Sequence, residues 1–378
     1  MVKIILKEII NLPISLIFLF ANLLYLLLPR NLSNIINYKN ILIHRTGGFG
    51  NQIFANDIIR YSKKKYLYIL LFDPTRYNKY VSKVFNINHI YLPTCYGKKL
   101  SYNFRIGEYE GSLTSLNFYI INLILKYILF KNVFELESFY KNFEKENKKI
   151  IKKIDFNRKD FKIFKKYIDI YFHKINDRPL PNPKLNPENL KKIRNKLKIK
   201  KIKINKICSV YLRKKYSPNS DESNNIRNGS PKDDYKKMFE YLIKKNFTIF
   251  LVGDTIFNFN EIIKFKKKVI DYRISQMRKD IFQIYALTEN NIFISEPGGA
   301  QFFGLYSKKS FGINYFPIGF KPPFNKILYK DIIDKKDKLI KSKIKKKIFW
   351  KYNISSLGLK AEPNTSIQFL NLVKKNIN

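Results

Sequence analysis

The chain has 378 residues, of which 45% are hydrophobic and 16% aromatic, and its formal net charge is +44. This length and composition exclude a disordered chain and predict two domains of α/β size. The charge by itself would suggest a nucleic-acid partner. However, Lys, Ile and Asn recur along the whole chain and no nucleic-acid-binding module is recognisable, so we expect no nucleic acid. We favour instead a basic surface that faces anionic lipid.

The first element in chain order is an apolar segment over residues 12–28. Its length lies at the lower edge of what spans a bilayer. Pro29-Arg30 follows it, which is not the small-residue cleavage site of a signal peptide. We therefore interpret residues 1–37 as a membrane anchor or an interfacial helix, with a buried core helix as the alternative. The anchor interpretation predicts a membrane-associated protein.

A glycine-rich turn follows the next predicted strand, residues 41–43. The sequence from His44 to Gln52 reads His-Arg-Thr-Gly-Gly-Phe-Gly-Asn-Gln and leads into a helix predicted over about 51–64. Gly48 and Gly50 let the backbone approach a ligand closely, because glycine has no Cβ. The amides at the helix start can face an anion or a sugar. We predict that Gly48, Gly50 and Asn51 bind a phosphorylated donor.

The rest of the first half continues the α/β pattern. A strand is predicted over 66–72, directly before Asp73, and residues 116–175 are predicted to be helical. The part from 118 to 130 is apolar enough to be either a core helix or a second membrane-touching surface. We assign 38–177 to an N-terminal Rossmann-like domain. Four prolines between 178 and 187 indicate a linker, which we place at 178–200.

The second half has a more regular pattern of strands and helices. Strands are predicted over 208–212, 247–252, 269–272, 291–295 and 311–315, and helices over 231–245 and 280–288. Asp233 or Asp234 is the predicted cap of the first of these helices. This alternation predicts a parallel sheet built by right-handed crossovers. We assign 201–345 to a C-terminal Rossmann-like domain and 346–378 to a C-terminal helical segment, with a helix over 366–375.

Candidate ligand residues lie at the ends of the strands of the second domain. Arg213 directly follows the strand 208–212, where a guanidinium can hold a diphosphate with two hydrogen bonds. The turn from Ser295 to Ala300 follows another strand and opens a helix, so its amides can bind phosphate. Glu296 in this turn is suited to accept hydrogen bonds from sugar hydroxyls. The predicted donor-binding set also contains Arg227, Asp254, Asp280, Ser295, Gly298 and Gly299.

Two resemblances concern these same residues. Residues 47–54, Gly-Gly-Phe-Gly-Asn-Gln-Ile-Phe, resemble the opening motif of bacterial α-1,2-fucosyltransferases. Residues 210–213, Val-Tyr-Leu-Arg, lie where that superfamily has a His-x-Arg segment. A closer overall similarity is to a family of GT-B glycosyltransferases from bacterial surface-polysaccharide clusters. The pieces that match its motif order are Tyr211-Leu212-Arg213, Ile226-Arg227-Asn228, Asp280, Ser295 to Gly299, and Gly358 to Thr365.

The resemblance implies a GT-B fold, with two Rossmann-like domains facing a cleft, over roughly residues 41–370. It also implies transfer of a sugar, hexosyl or fucosyl, from a nucleotide-diphosphate donor to a glycan or lipid-linked acceptor. This sugar transfer would take place at the cytoplasmic side of a bacterial inner membrane, in cell-surface glycan synthesis. Arg213 would hold the diphosphate and Arg227 would close over it. The sequence departs from the family at Tyr211, where histidine is usual, and at Lys214, where an acidic residue is common.

The expected chemistry needs no metal, because cations can neutralise the leaving diphosphate and no Asp-x-Asp motif stands in the cleft-forming segments. The two cysteines, Cys95 and Cys208, and the three histidines are too scattered for a disulfide scaffold or a zinc site, and we expect no cofactor. A general base should come from the first domain. Asp57 and Asp73 are the leading candidates, with Glu108 and His44 left open. The alternative function is a catalytically inactive binding or scaffold protein at the membrane.

Overall fold

The chain forms two compact units, Met1–Pro181 and Asn182–Asn378. We describe them from a computed structural model. The residues that it describes are 16–45, 49–72, 78–93, 112–151, 166–213, 229–253, 256–315, 324–333 and 360–377. The division falls inside the proline-rich segment from which the sequence predicts a linker.

The first unit is built around a parallel four-stranded sheet. Its described elements are α1 (Leu16–Leu27), α2 (Pro29–Asn37), β1 (Asn40–Arg45), α3 (Phe49–Tyr61), β2 (Tyr66–Phe72), α4 (Val81–Val84), β3 (His89–Pro93), α5 (Ser112–Leu123), β4 (Asn132–Glu135), α6 (Leu136–Glu146), α7 (Lys148–Ile151) and α8 (Lys166–Asp177). A π-helical turn, Ile124–Ile128, continues α5. The strand order is β3-β2-β1-β4, and every pair is parallel.

The two central strands of this sheet, β1 and β2, are buried on both faces, which explains their apolar sequences. All seven residues of β2 are buried, as expected for a parallel strand with helices on either side. Ile41 and Ile43 belong to one core cluster, together with Leu19, Leu26 and Phe118 from the N-terminal helix and α5. The predicted strand 66–72 is confirmed, and β1 and α3 match their predictions within a few residues. The strands β3 and β4 were not predicted, because each is short and lies between helical patterns.

The N-terminal apolar segment is helical where it is described. Among the described residues, no single helix is both long and apolar enough to cross a membrane. The helices Leu16–Leu27 and Pro29–Asn37 meet those criteria only as a pair, and they are bent by 73° relative to each other. One side of α1 is buried in the core of the unit through Leu19 and Leu26.

The second unit contains a parallel six-stranded sheet. Its described elements are α9 (Pro187–Ile199), β5 (Lys206–Leu212), α10 (Lys236–Lys244), β6 (Phe247–Gly253), α11 (Phe259–Ile263), β7 (Val269–Ile270), α12 (Tyr272–Ser275), α13 (Lys279–Thr288), β8 (Ile292–Ser295), β9 (Lys309–Tyr315), β10 (Lys326–Tyr329), β11 (Asp331–Ile333), β12 (Lys360–Glu362) and α14 (Ser366–Asn376). Turns of 3-10 helix cover Lys232–Tyr235 and Gly299–Tyr306. The strand order is β10-β9-β8-β5-β6-β7, and β11 and β12 form an antiparallel pair.

Half of the segment predicted as a linker, 178–200, is a helix. Pro187 stands in the first turn of α9, where a proline lacks only a hydrogen bond that the helix start would not make. The side chain of Asn186 accepts a hydrogen bond of 2.9 Å from the backbone N–H of Asn189 and so caps the helix. The last of the four prolines therefore starts a helix instead of extending a linker.

The C-terminal helix is part of the core of the second unit. Phe369, Leu372 and Val373 of α14 pack in the same cluster as Met238 and Phe239 of α10. The side chain of Thr365 and that of Gln368 form a reciprocal capping box at the start of α14. The segment 346–378, predicted as a separate helical piece, thus contributes α14 to the second unit. Asp233 and Asp234, the predicted caps of α10, instead lie in the preceding 3-10 turn, and Asp233 pairs with Lys236 at 2.5 Å.

Both units are thus α/β with parallel sheets, as the sequence predicts. The arrangement of two such units around a cleft stays a prediction.

Candidate functional site

The candidate site of the second unit lies at the carboxyl ends of three neighbouring strands. In the sheet, β5 stands between β6 and β8. Tyr211 is in register with Ser295, and Leu212 with Gly253. Because parallel strands end at the same edge of a sheet, the residues that follow β5 and β8 meet there, which is where ligands bind in such folds.

Arg213 directly contacts the turn that follows β8. Its guanidinium Nη1 donates a hydrogen bond of 3.1 Å to the carbonyl of Pro297. Its backbone N–H donates to Oε2 of Glu296 at 2.7 Å. Arg213, Pro297, Gly298 and Gly299 are all only partly buried. The structure therefore brings a guanidinium and the glycines of the turn together at an accessible edge of the sheet.

Glu296 holds this turn from the buried side. Its side chain is completely buried. Oε1 accepts hydrogen bonds from the hydroxyl of Tyr235 and from Nδ2 of Asn314, the latter at 2.8 Å. Together with the Arg213 N–H, these contacts engage both carboxylate oxygens. Glu296 thus positions the Arg213 backbone and the turn, and its predicted contact with a sugar hydroxyl stays a prediction.

A second layer of polar residues supports this carboxylate. The Oγ of Ser230 donates to the carbonyl of Asn364 at 2.6 Å, and its N–H donates to the Tyr235 hydroxyl at 2.9 Å. Asn314 and Asn364 exchange two hydrogen bonds, each from a backbone N–H to a side-chain oxygen, at 2.7 and 2.8 Å. This network connects residues far apart in sequence and fixes the Tyr235 hydroxyl and the Asn314 amide where Glu296 needs them.

The electrostatics of the buried pair Glu296 and Lys330 oppose full ionisation. Burial raises the pKa of Glu296 above its ordinary value, although the hydrogen bonds from Tyr235 and from the Arg213 N–H act against that shift. Burial also lowers the pKa of Lys330 to about 8, while the carboxylate of Glu296 acts against this shift. Each charge therefore compensates the other only partly, because both have lost their hydration.

The ring of Tyr211 is packed between two glycines. A Cβ added to Gly298 would lie 2.7 Å from the ring carbon Cε1 of Tyr211, and one added to Gly253 would lie 2.9 Å from Cε2. Gly253 also has a φ of +93° and would place its Cβ only 2.3 Å from the Leu212 carbonyl oxygen. A side chain at Gly298 would collide with the ring of Tyr211. A side chain at Gly253 would collide with the ring and with the Leu212 carbonyl, so both positions require glycine.

This packing predicts a selective rescue. Gly298→Ala is expected to destabilise the protein by about 1–3 kcal/mol, since the added methyl overpacks against the ring. On a Tyr211→Ala background the Gly298→Ala change should lower the free energy of unfolding by less than about 0.5 kcal/mol, because the ring that the methyl would meet is absent. Urea denaturation of the four variants gives the coupling free energy.

The matched control is Gly253→Ala, whose clash with the Leu212 carbonyl does not depend on the ring. Its cost should persist on the Tyr211→Ala background. Equal costs of Gly298→Ala with and without the tyrosine would show that the ring does not lie against the turn.

Two of the other predicted donor residues of the second unit, Ser295 and Asp280, have local partners. Ser295 is buried, and its Oγ donates to the carbonyl of Glu296 at 2.7 Å. Asp280 lies in the first turn of α13 and accepts a hydrogen bond of 2.8 Å from the Arg278 guanidinium. Arg227 and Asp254 lie outside the described residues. Their predicted roles stay predictions.

In the first unit, the glycine-rich turn is described only from Phe49 onward. Gly50 and Asn51 stand in the first turn of α3 and are partly buried. Gly48 and Asp73 lie outside the described residues, as does Glu108.

Asp57, a predicted catalytic base, is held by two neighbours in this unit. Its side chain is fully buried. Oδ1 accepts from the Arg60 guanidinium at 3.1 Å, and Oδ2 accepts from the hydroxyl of Tyr171. Both carboxylate oxygens of Asp57 are therefore engaged by side chains of the same unit. Its role as the catalytic base stays a prediction.

His44, the other described candidate base, is buried at the end of β1. Its Nδ1 lies 2.6 Å from the Tyr68 hydroxyl. Burial lowers its pKa to about 3, so the imidazole is neutral at physiological pH. Within the described part of the chain, Nε2 has no hydrogen-bond partner.

Sequence reasoning missed the residues that support Glu296. Tyr235, Asn314 and Lys330 come from three different segments and no motif marks them. Gly229 was missed too, although a Cβ there would lie 2.5 Å from Oε1 of Glu296. One signal was available, since a glutamate inside an otherwise apolar strand-to-turn segment predicts a buried carboxylate with dedicated partners. In the described residues, no cluster of three or more His, Cys, Asp or Glu could hold a metal ion.

Comparison with known proteins gives no family assignment. No protein-family model matches the chain, and no curated protein matches it. Among solved structures, it is similar to a glycosyl transferase family 9 protein from Veillonella parvula DSM 2008, with 12% identity, 89% of this chain and 97% of that chain covered, and a TM-score of 0.46. It is also similar to a variant of the wall teichoic acid polymerase TagF, with 12% identity, coverage of 80% and 79%, and a TM-score of 0.27. Because both TM-scores are below 0.5, we base no functional inference on these likenesses.

Proposed function

We propose that this chain is a glycosyltransferase that moves a sugar from a nucleotide-diphosphate donor to an acceptor hydroxyl of a cell-surface glycan. The observation that carries the proposal is the meeting of Arg213 with the turn from Pro297 to Gly299, at the carboxyl edge of a parallel sheet. A cation and a partly exposed glycine turn at such an edge form a site suited to a diphosphate.

The proposed reaction breaks one bond at the anomeric carbon, forms another there and transfers one proton. The bond between the anomeric carbon and the donor phosphate oxygen breaks, and its electrons leave with the nucleoside diphosphate. The acceptor oxygen forms the new glycosidic bond and loses its proton to a base. Arg213 and the amides around Gly298 and Gly299 stabilise the charge that develops on the leaving diphosphate, which is usually the largest catalytic contribution.

Glu296 and Tyr211 position Arg213 and the turn without contacting the reacting atoms. Glu296 holds the Arg213 backbone through its N–H, and Tyr211 packs against Gly298. Arg227, Asp254 and Asp280 complete the proposed donor site, and Gly48, Gly50 and Asn51 the proposed site in the first unit. We propose that these cations and amides neutralise the diphosphate without a metal. The base belongs to the first unit, where Asp57 and Asp73 are the leading candidates.

A catalytically inactive nucleotide-sugar-binding protein is the alternative. Tyr211 favours it, since this residue stands at the sequence position where the resembling family has a histidine, and its ring lies against Gly298. Such a protein would bind the donor and release no nucleoside diphosphate.

The test is a panel of nucleotide-diphosphate sugars, screened first by thermal shift and then for release of nucleoside diphosphate with and without glycan acceptors. Saturable stabilisation by one donor class with release of its nucleoside diphosphate supports the transferase. Stabilisation without release supports the binding protein. If no donor stabilises the chain or is turned over, the proposal is wrong.

We also propose that the protein works at a membrane surface, through an apolar surface of the first unit. On α1, Ile17 and Phe20 are 67% and 65% exposed, and on the π-helical turn that continues α5, Ile128 is 65% exposed. The two helices are neighbours, because Nδ2 of Asn22 lies 3.5 Å from Oδ1 of Asn117. Side chains of this kind are buried when a helix lies in a bilayer interface.

Replacing Ile17 and Phe20 with Ser is expected to weaken binding to phosphatidylglycerol vesicles at least about tenfold, because each buried apolar side chain contributes about 1.5–3 kcal/mol. Vesicle co-sedimentation measures the effect. The matched control replaces two exposed isoleucines of the second unit, Ile199 and Ile367, with Ser. Equal binding by both double variants would exclude this surface as the membrane contact.

A further inference from the structure

A cavity of about 570 Å³ opens in the first unit, at the carboxyl-terminal end of α3. Its walls come from the end of α3, from the α6–α7 segment and from the end of α8. This volume lies within the range of small-molecule binding pockets. The wall residues all belong to the first unit, so the cavity exists without the second.

The walls of this cavity are strongly basic. Besides Arg60, which Asp57 neutralises at 3.1 Å, they carry six cations against two acidic residues, Glu146 and Asp177. The six cations are Lys63, Lys145, Lys148, Lys149, Lys174 and Arg178.

The two acidic residues offset only part of this charge. Glu146 accepts hydrogen bonds from Asn142 at 2.8 Å and from the backbone N–H of Lys63 at 3.2 Å. Asp177 lies 3.9 Å from Nε of Arg178. Among the described residues, none of the five wall lysines has an ion-pair partner. Among its described wall residues, the cavity therefore carries six cations against two carboxylates and keeps a net positive charge.

The charges around Lys174 act on its pKa. Its Nζ donates a hydrogen bond of 2.7 Å to the carbonyl of Tyr61 and lies over the ring of Phe143. Burial lowers its pKa from the ordinary value, the charges of Lys63 and Arg178 lower it further, and the charge of Glu146 acts against the shift. A neighbouring cation that disfavours another cation in this way also favours an anion placed between them.

The cavity is separate from the predicted ligand residues of the glycine-rich turn. Gly50 stands in the first turn of α3, whereas Arg60 and Tyr61 stand in its last turn. Ten residues of helix separate Gly50 from Arg60, a distance of about 15 Å along the axis. The cavity thus lies toward the amino-terminal edge of the sheet, near the start of β2 at Tyr66. Ligands of the proposed reaction belong at the opposite, carboxyl edge.

We propose that this cavity is a second anion site that binds a phosphate group, carried either by a lipid headgroup or by a soluble phosphorylated molecule. A phosphate brings one to two negative charges and several acceptor oxygens. Flexible lysine side chains from three segments can close on it as point charges. Filling the cavity with such a group removes the repulsion among its cations.

The test uses the charge-reversal variant Lys148→Glu/Lys149→Glu, whose two lysines are exposed and adjacent. The matched control is Lys374→Glu/Lys375→Glu, two exposed adjacent lysines in the last turn of α14, with the same change in net charge. One arm titrates inorganic pyrophosphate. The other measures binding to vesicles of phosphatidylglycerol with phosphatidylcholine against vesicles of phosphatidylcholine alone. Because the proposed donor site also takes a diphosphate, amide hydrogen exchange of residues 145–151 reports the cavity locally.

Pyrophosphate is expected to protect the amides of 145–151, with an affinity that falls as salt rises. The cavity variant should bind at least about tenfold more weakly, and the control should change less than about twofold. A loss in the pyrophosphate arm identifies a soluble phosphorylated ligand, and a loss in the vesicle arm alone identifies a lipid headgroup. Equal behaviour of the two variants in both arms would overturn the proposal, whether or not the donor site of the second unit binds nucleotide sugars.

Discussion

Replacing Arg213 with Ala is expected to lower the rate of sugar transfer by about 10²–10³, which corresponds to about 2.7–4 kcal/mol of transition-state stabilisation. The guanidinium lies against the Pro297 carbonyl at the edge of the sheet, where the proposed reaction places the leaving diphosphate. The backbone N–H that Glu296 accepts from is present in every residue type except proline, so the alanine variant keeps that contact. Steady-state kinetics with the donor found in the screen measure kcat and KM for each variant.

Two further variants separate the role of Arg213 from a general loss of charge. Arg213→Lys keeps the charge but loses the paired hydrogen bonds, so its rate should lie between those of the wild type and the alanine variant. Arg194→Ala is the matched control, because that arginine is exposed and lies 3.7 Å from Glu289 on the same unit. Its rate should equal that of the wild type. An Arg213→Ala variant as active as Arg194→Ala would contradict the proposed role.

Replacing Glu296 with Ala is expected to destabilise the second unit by about 3–5 kcal/mol. The substitution leaves the Tyr235 hydroxyl, the Asn314 amide and the Arg213 N–H without their buried acceptor. It also removes the larger of two carboxylate charges that favour the ionised form of Lys330, the other being that of Glu362. Orphaned buried donors are among the most costly consequences of a single substitution. Urea denaturation followed by circular dichroism measures the free energy of unfolding.

Glu296→Gln is the matched variant, since it keeps the shape and one acceptor oxygen. The pKa of Glu296 is raised in the folded state by burial, so the folded protein holds that proton more tightly than the unfolded chain does. The wild type therefore loses stability as the pH rises above about 4.5, the ordinary value. The glutamine variant lacks this loss, so the stability difference should move in its favour between pH 4.5 and the raised pKa. A difference independent of pH would mean that Glu296 is not desolvated.

The buried strands, and the candidate ligand residues that follow them, could be predicted from the sequence because they depend on local patterns. The run from Tyr66 to Phe72 is apolar throughout and is a fully buried strand. Arg213 and the turn after Ser295 both follow apolar runs, and the geometry of a parallel sheet then brings their ends together. Local sequence was enough to place these residues side by side.

The support of the site could not be predicted, because it depends on long-range contacts. Asn314 and Asn364 are fifty residues apart and still exchange hydrogen bonds. Lys330 is buried near Glu296 in a chain whose lysines are otherwise mostly exposed, and no local pattern distinguishes it. The helix α9 was not predicted because proline occurs both in linkers and in the first turn of helices. Pro187 alone therefore does not distinguish the two.

The most direct measurement is a crystal structure of the protein with a bound nucleoside diphosphate. Our account predicts phosphate oxygens at about 2.7–3.2 Å from the Arg213 guanidinium and from the amides of Gly298 or Gly299. It also predicts that the Arg213→Ala crystal soaked at the same concentration shows no diphosphate there. A nucleotide whose phosphates lie away from Arg213 and from this turn would contradict the account.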